Sequence, residues 1–257
     1  MGFEMIEKID QETIQQYETD ASNFHGSLGR LLMPETEEEL SDALRKTYFS
    51  GERITISGAG TGLVGGRVPL GGAVISTEKM DKLIEIDRER MIARVSAGVT
   101  LGALAEALRG SGLIYPPNPT ETNATIGGNI ATNASGSRTF KYGATRAFVK
   151  SLRVVLPSGE ILALSSDQTA INDAFWLETE NGRNIEFNRP QLQMPRVKHA
   201  AGYFSSSQMS AADLFIGSEG TLGVVSSAEL QLAPAPEAVF GAIAFFDKKE
   251  KLFEFVS

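Results

Sequence analysis

Residues 54–66 read Ile-Thr-Ile-Ser-Gly-Ala-Gly-Thr-Gly-Leu-Val-Gly-Gly, a β-branched stretch that empties into a segment crowded with glycine. Glycine has no Cβ, so this backbone takes positive φ freely and lets its N–H groups approach an anion closely; Ser57 and Thr61 add hydroxyl donors. An ordinary connection needs only about two to six residues and one glycine. The stretch is therefore read as a phosphate-binding loop rather than a flexible turn.

The loop contains Gly60-x-Gly62-x-x-Gly65, the spacing of the dinucleotide fingerprint of doubly wound folds. That fingerprint works only when a helix begins inside the loop and aims its N-terminus at the pyrophosphate. Here Pro69, Gly71 and Gly72 occupy the place of the helix and lead into the strand-like Ala73–Ser76. A proline and two glycines oppose a helix, so main-chain amides of the loop itself are expected to hold the phosphate.

The 26 glycines cluster in a few such turns, and the absence of cysteine excludes disulfides and thiolate metal sites. The two histidines, His25 and His199, lie far apart in sequence, so no metal site is expected. A formal charge of −8 with no basic tract disfavours nucleic acid. No run reaches the roughly 20 apolar residues of a membrane helix. The N-terminus lacks a basic-then-apolar signal, and Ile6 stands where a myristoylation motif wants Ser or Thr. A soluble cytoplasmic protein is expected, with membrane contact only through a partner.

Four segments are expected along the chain. Residues 1–32 read as an N-terminal helix and an irregular lead-in, with 19–29 free to move. Residues 33–96 form a first unit. In it Thr36-Glu37-Glu38-Glu39 is a capping box, and Leu40, Ala43, Leu44, Thr47 and Tyr48 follow at helical spacing up to Gly51. Strands at 54–57, 73–76, 82–86 and 91–95 complete it. Residues 97–232 form a second unit, opening with Thr100 as cap of a helix whose apolar face is Leu101, Leu104, Ala105 and Leu108, ending at Gly110 and Gly112.

Tyr115-Pro116-Pro117-Asn118-Pro119 is then rigid and extended, and it leads into 122–136. There Asn123, Asn129 and Asn133 and Thr122, Thr125 and Thr132 interleave with small residues. This composition suits neither a core nor a surface helix and is read as the polar lining of a ligand site. Residues 148–156 and 161–164 form a hairpin around Pro157-Ser158-Gly159-Glu160. The insertion 165–199, with Trp176 and a polar turn at 178–183, has no assigned role. A third glycine-punctuated motif at 214–225 precedes an alternating strand, 227–232, and a boundary at Pro234 and Pro236. Residues 233–257 read as a strand, 238–246, and a helix, 248–256, that are too short to form their own core and begin a further domain.

The motifs at 57–66, 124–136 and 217–225, in this order, closely resemble the FAD-binding domain of the vanillyl-alcohol oxidase and p-cresol methylhydroxylase (PCMH) superfamily, in its D-lactate dehydrogenase and glycolate oxidase branch. The resemblance covers roughly Met33 to Leu232. It implies an α+β, two-subdomain FAD-binding PCMH-type fold, a small α/β subdomain followed by a larger mixed or antiparallel sheet subdomain, clamping an extended FAD. It places the pyrophosphate loop on Ser57, Gly58, Ala59, Gly60, Thr61, Gly62 and Leu63. The segment along the ribityl chain and flavin edge falls on Pro117, Thr120, Asn123, Thr125, Ile126, Gly127, Gly128, Thr132, Asn133, Ala134 and Ser135. Tyr142 and Gly143 fall on a neighbouring loop, and Glu219, Gly220 and Val225 on the grip of the adenosine half. Members that bond the flavin covalently use a histidine in or near the first loop, or a later cysteine; this sequence has neither, so non-covalent FAD is implied.

Oxidation of a 2-hydroxy acid such as D-lactate or glycolate needs a base, a cation for the carboxylate and a flavin to take the hydride. In the resembled enzymes the base and the metal-binding histidines come from a C-terminal cap domain, which this chain lacks; a cap or a second subunit is the implied partner. His199, in a stretch similar to the family's Lys-x-x-x-Gly-Tyr, is read either as approaching the flavin or as a loop histidine. Lys198 and Arg146 are read either as positive charge near the flavin or as members of surface salt bridges. No catalytic residue is assigned. Two readings stay open, a D-2-hydroxy-acid oxidoreductase and a flavin-binding module with no turnover until docked to a partner. An NADPH-dependent reductase of cell-wall precursors shares the loop logic, but the wording at 124–135 and 217–225 is closer to the lactate and glycolate branch.

Overall fold

A computed structural model describes residues 6–8, 10–171, 173–197, 199–200 and 202–256. The first unit comprises β1 (Ile6–Lys8), α1 (Gln11–Gln15), β2 (Arg30–Met33), α2 (Glu37–Phe49), β3 (Ile54–Ser57) and β4 (Ala73–Ser76). Its sheet runs β1-β2-β4-β3, with β1 antiparallel to β2 and β4 parallel to both β2 and β3. A parallel pair normally needs a crossover of a dozen or more residues, usually a helix. Between β3 and β4 that crossover is the glycine loop, with no helix in it.

The second unit comprises β5 (Ile84–Asp87), β6 (Ile92–Ser96), α3 (Leu101–Ala107), β7 (Leu113–Ile114), α4 (Ile126–Ala131), α5 (Thr139–Tyr142) and β8 (Val149–Val155). It continues through β9 (Ile161–Ser165), β10 (Ala174–Glu178), β11 (Asn184–Asn188), α6 (Ala212–Phe215), β12 (Val224–Gln231) and β13 (Ala233–Pro234), with α7 (Lys249–Val256) last in the chain. Its main sheet, β5-β6-β12-β8-β9, is antiparallel throughout. The largest apolar cluster packs α3 and α4 on this sheet through Leu104, Leu108, Ile126 and Ile130 against Ala93, Val95, Ala228 and Leu230.

Several expectations change. The lead-in holds only the five residues of α1 as helix, and Arg30–Met33 is a strand with three of its four residues buried. Segment 19–29, expected to move, is a strap tied down by hydrogen bonds from Ala21 N–H to Gly60 O, Ser27 N–H to Pro69 O and Gly29 N–H to Gly72 O. Strands β5 and β6, placed with the first unit, join the second sheet because Ala93 and Val95 are buried in its core and β6 pairs with β12. Ala105 is exposed, so Leu104 and Leu108 carry the buried face of α3. The polar stretch at 124–136 contains a buried helix, α4, capped by Thr125, because Ile126 and Ile130 share one face. The insertion holds the hairpin β10–β11. Strand β12 begins at Val224, three residues before the expected start. Residues 238–246 form no strand, having no neighbour to pair with among the described residues, and α7 follows.

Helix α2 lies between the two sheets: Leu40 and Leu44 meet Leu32 and Ile75 of the first and Val155 and Val224 of the second. Thr36 Oγ1 accepts from Glu39 N–H, as the capping box requires, while Glu39 reaches back to Glu35 N–H. Glu37 in the first turn crosses to the second sheet, where Arg153 donates to it at 2.6 and 3.0 Å and Ser226 adds its hydroxyl. Burial pushes the Glu37 carboxyl up, but the bonds from Arg153 and Ser226 outweigh it and hold the group below its ordinary value of about 4.5. A folded-state value below the unfolded one gives stability that is complete above about pH 4.5 and is lost as pH falls through the depressed value. Denaturant midpoints measured from pH 7 downward should therefore fall more steeply for the wild type than for Glu37→Gln, and the two curves should meet in acid.

Candidate functional site

A cleft of about 1210 Å³ opens between the two units. One wall is the glycine loop, a second is α4 with the residues that follow it, and a third is the loop from Ser218 into β12. Of the residues singled out from sequence, Gly58, Ala59, Gly60, Thr61, Gly62, Leu63, Thr120, Thr125, Gly127, Gly128, Thr132, Asn133, Ala134, Ser135, Glu219, Gly220 and Val225 all line it. Ser57 lies directly behind the loop, 1% exposed. Ile126 and Pro117 are buried, and Asn123 is exposed with its N–H on Glu121. Tyr142 and Gly143 end α5 away from the cleft lining.

The loop sorts its backbone groups. Gly58 O accepts from Arg67 at 3.1 Å and Gly60 O from Ala21 N–H at 3.1 Å. The N–H groups of residues 58–66 donate to no protein acceptor among the described residues. Three of the loop's carbonyls are thus held, Gly58 O by Ser57 and Arg67, Gly60 O by the strap and Gly65 O by Val68 N–H, while the whole row of amide donors is left over, the arrangement that suits an anion. The walls meet closely: a Cβ on Gly58 would stand 2.7 Å from Thr125 Oγ1, and one on Gly66 2.7 Å from Glu219 Oε2. Asn133 and Glu219 both take positive φ, 45° and 53°, a conformation that costs of order 1–3 kcal/mol for a non-glycine residue and clusters at ligand sites.

Three groups that carry this geometry were not found from sequence. Arg67 is half-buried, stacked 5.3 Å over Tyr17, and donates to Thr19 O, Gln16 O, Gly58 O and Ser57 Oγ. Burial lowers its pKa, and Glu78, Tyr17 and Asp20 oppose that. Tyr17 donates to Glu78 at 2.9 Å and is pushed up to about 12, first by burial and then by Glu78. Asp20, 7% exposed, lines the cleft with a buried Oδ2 that has no partner among the described residues; the same holds for Nδ2 of Asn129, 4% exposed, which the sequence had already placed in the polar lining. The only hint in the chain was a lone cation directly after Gly65-Gly66.

A second cavity of about 360 Å³ adjoins the cleft, sharing Thr132, Asn133 and Ala200 with it, and His199 and Arg146 lie on its wall. Lys198 lies outside the described residues. Arg146 does make an ion pair, but a largely buried one rather than the surface salt bridge read as one alternative from sequence. Its side chain is 18% exposed, donates to Asp213 Oδ1 at 2.6 Å and Asp213 O at 2.7 Å and to Ile216 O, and stacks 4.1 Å over Phe204. Burial lowers its pKa while Asp213 acts to raise it. Among the described residues no cluster of metal-ligating side chains occurs, and no helix is long and apolar enough to cross a membrane.

An extended nucleotide with a diphosphate fits this donor set: the loop leaves its amides free for an anionic middle, and Asn129 offers a further buried donor on the lining of the same cleft. Comparison with known proteins points the same way. D-lactate dehydrogenase of Anaerostipes hadrus is 34% identical over an aligned stretch of 260 residues, covering 96% of this chain and 48% of the relative. Glycolate oxidase subunit GlcD of Bacillus subtilis strain 168 is 33% identical over 246 residues, covering 94% of this chain and 45% of the relative. The chain thus spans less than half the length of these relatives. Among solved structures, an alkyldihydroxyacetonephosphate synthase superposes with a TM-score of 0.65 over 90% of this chain and 41% of that one, at 20% identity, a likeness of fold. Residues 29–165 match the family described as FAD binding domain, and the chain belongs to that family.

Proposed function

We propose that this chain is the FAD-binding domain of a flavin-dependent dehydrogenase that oxidises a D-2-hydroxy acid of the lactate or glycolate type, with FAD held non-covalently. The observation that carries it is the loop whose amides, over residues 58–66, donate to no protein acceptor among the described residues, set in a cleft of about 1210 Å³. Residues 58–63 receive the diphosphate through main-chain N–H groups. Thr125, Thr132, Asn133 and Ser135 offer hydroxyl and amide partners to the sugar-alcohol chain, and Glu219, Gly220 and Val225 flank the adenosine half. Bound FAD supplies the hydride acceptor for the carbon bearing the substrate hydroxyl. The absence of cysteine and of any histidine in the glycine loop supports a non-covalent cofactor.

The base and the carboxylate-binding cation are assigned to no residue of this chain. A second reading, a flavin-binding module that turns over only when docked to a cap domain or partner, is favoured by Val239, Phe240, Ile243 and Phe245, which are 82–91% exposed. The test is a visible spectrum of the purified protein, with FAD release on heating, followed by anaerobic addition of D-lactate or glycolate. Bleaching by this chain alone supports the first reading, bleaching only after a second piece is added supports the second, and failure to take up FAD overturns both.

Arg67 gives a further expected result. Replacing it with Met takes one of two donors from Gly58 O, leaving the Ser57 hydroxyl, and removes a cation lining the cleft, so FAD should bind about 10-fold or more weakly, the loss of one charge-assisted hydrogen bond. The salt dependence of binding should flatten. Riboflavin, which lacks phosphate, should bind both proteins alike in a fluorescence titration.

A further inference from the structure

Asp20 sits where the strap crosses the glycine loop. Oδ1 accepts from Ser22 N–H at 2.9 Å and from the Ser22 hydroxyl, whereas Oδ2 is buried with no partner. The next residue, Ala21, is fastened to Gly60 O, so the carboxyl is held in place. A Cβ on Gly62 would lie 3.8 Å from Oδ2, which puts this oxygen beside the row of free amides. Arg67 is near, but its hydrogen bonds go to main-chain carbonyls and Ser57, and Asp20 has no ion pair among the described residues.

A buried carboxylate oxygen without a donor is costly. A phosphate seated on the amides would not relieve that cost, because like charges repel. Only a donor can, and in a nucleotide diphosphate the donors next to the phosphates are hydroxyls. We propose that Asp20 Oδ2 accepts a hydrogen bond from a sugar or sugar-alcohol hydroxyl beside the diphosphate, making the strap part of the cofactor site. The strap precedes the stretch matched by the family, which starts at residue 29. This inference rests on the FAD reading above.

The test compares wild type with Asp20→Asn in titrations with FAD, ADP and FMN, together with melting of the ligand-free proteins. Asparagine retains an oxygen for Ser22 and removes a buried unpaired charge, so the ligand-free variant should melt at or above the wild-type temperature. Its affinity for FAD should nevertheless drop about 10-fold or more, the loss of a hydrogen bond to a charged group. A matching drop for ADP assigns the hydroxyl to the adenosine ribose, and one for FMN to the ribityl chain; either supports the inference. Equal or tighter FAD binding by Asp20→Asn overturns this inference and leaves the FAD reading intact. Wild-type protein that binds none of the three overturns both.

Discussion

Gly60→Ala is expected to weaken FAD binding by about 100-fold or more while leaving the fold in place. Gly60 has φ +72°, where a Cβ costs about 1–2 kcal/mol. That Cβ would also stand 2.2–2.5 Å from the Arg67 guanidinium. The end of an arginine side chain usually swings aside, but this one makes five hydrogen bonds, and moving it takes a charged donor from Gly58 O and unpins Gln16 and the start of the strap at Thr19. Losing one such bond to a charged donor costs about 1.5–3 kcal/mol, and with the backbone strain the total of about 2.5–5 kcal/mol brackets the roughly 2.8 kcal/mol of a 100-fold change. Gly110→Ala is the control: φ is +73° there, with nothing within 4 Å of the added carbon, so it carries backbone strain without touching the cleft. Titration of both variants with FAD, alongside circular dichroism, separates the effects. Binding by Gly60→Ala within about threefold of wild type would show that the diphosphate does not sit on these amides.

The second large effect is on stability. Arg146→Ala is expected to cost about 3 kcal/mol, the low end of the range for breaking a buried ion pair, because Asp213 keeps partial solvent access. Arg146 joins the 3-10 turn Thr145–Phe148 to α6 and to Ile216 O, and its own N–H is held by Asn133 Oδ1 at 3.0 Å. Its removal leaves the Asp213 carboxylate with Ser210 as its one partner among the described residues and frees a carbonyl next to Gly217. The double variant Arg146→Ala/Asp213→Asn should recover most of the loss, since the penalty comes chiefly from the stranded charge. Urea midpoints of the three proteins check this; a single variant within about 1 kcal/mol of wild type would mean that the pair does not hold α6 in place.

Much of this was legible in the chain, and the failures have physical causes. The capping box at Thr36 and the stop at Gly51 mark α2 because both signals are local. Helix absence after Gly66 was readable from Pro69, Gly71 and Gly72. Strand β2 was not, because a strand buried on both faces shows no alternation, and Arg-Leu-Leu-Met reads equally well as the end of a helix. Hairpin β10–β11 did carry alternation, Phe175 and Leu177 inward with Trp176 64% exposed, but it was masked by the polar residues around it. In α4 two glycines and an asparagine spoke against a helix, and burial of Ile126 and Ile130 overrode them. Residues 238–246 have the opposite fault, strand composition without a neighbouring edge. Arg67 gave no pattern because it reaches back 48 and 51 residues to Thr19 and Gln16, and Asp20 none because only the fastening of Ala21 to Gly60 brings it to the loop, a closeness that only the folded chain creates.

The passage from β3 to β4 through a loop instead of a helix divides the labour of this domain. None of residues 58–72 belongs to the three apolar clusters among the described residues, so the sheet is covered without them. A helix in that place would have had to satisfy the core and the ligand at once. Here recognition can drift, residue by residue, wherever the glycines and Arg67 do not fix the path, and the scaffold beneath registers little of the change.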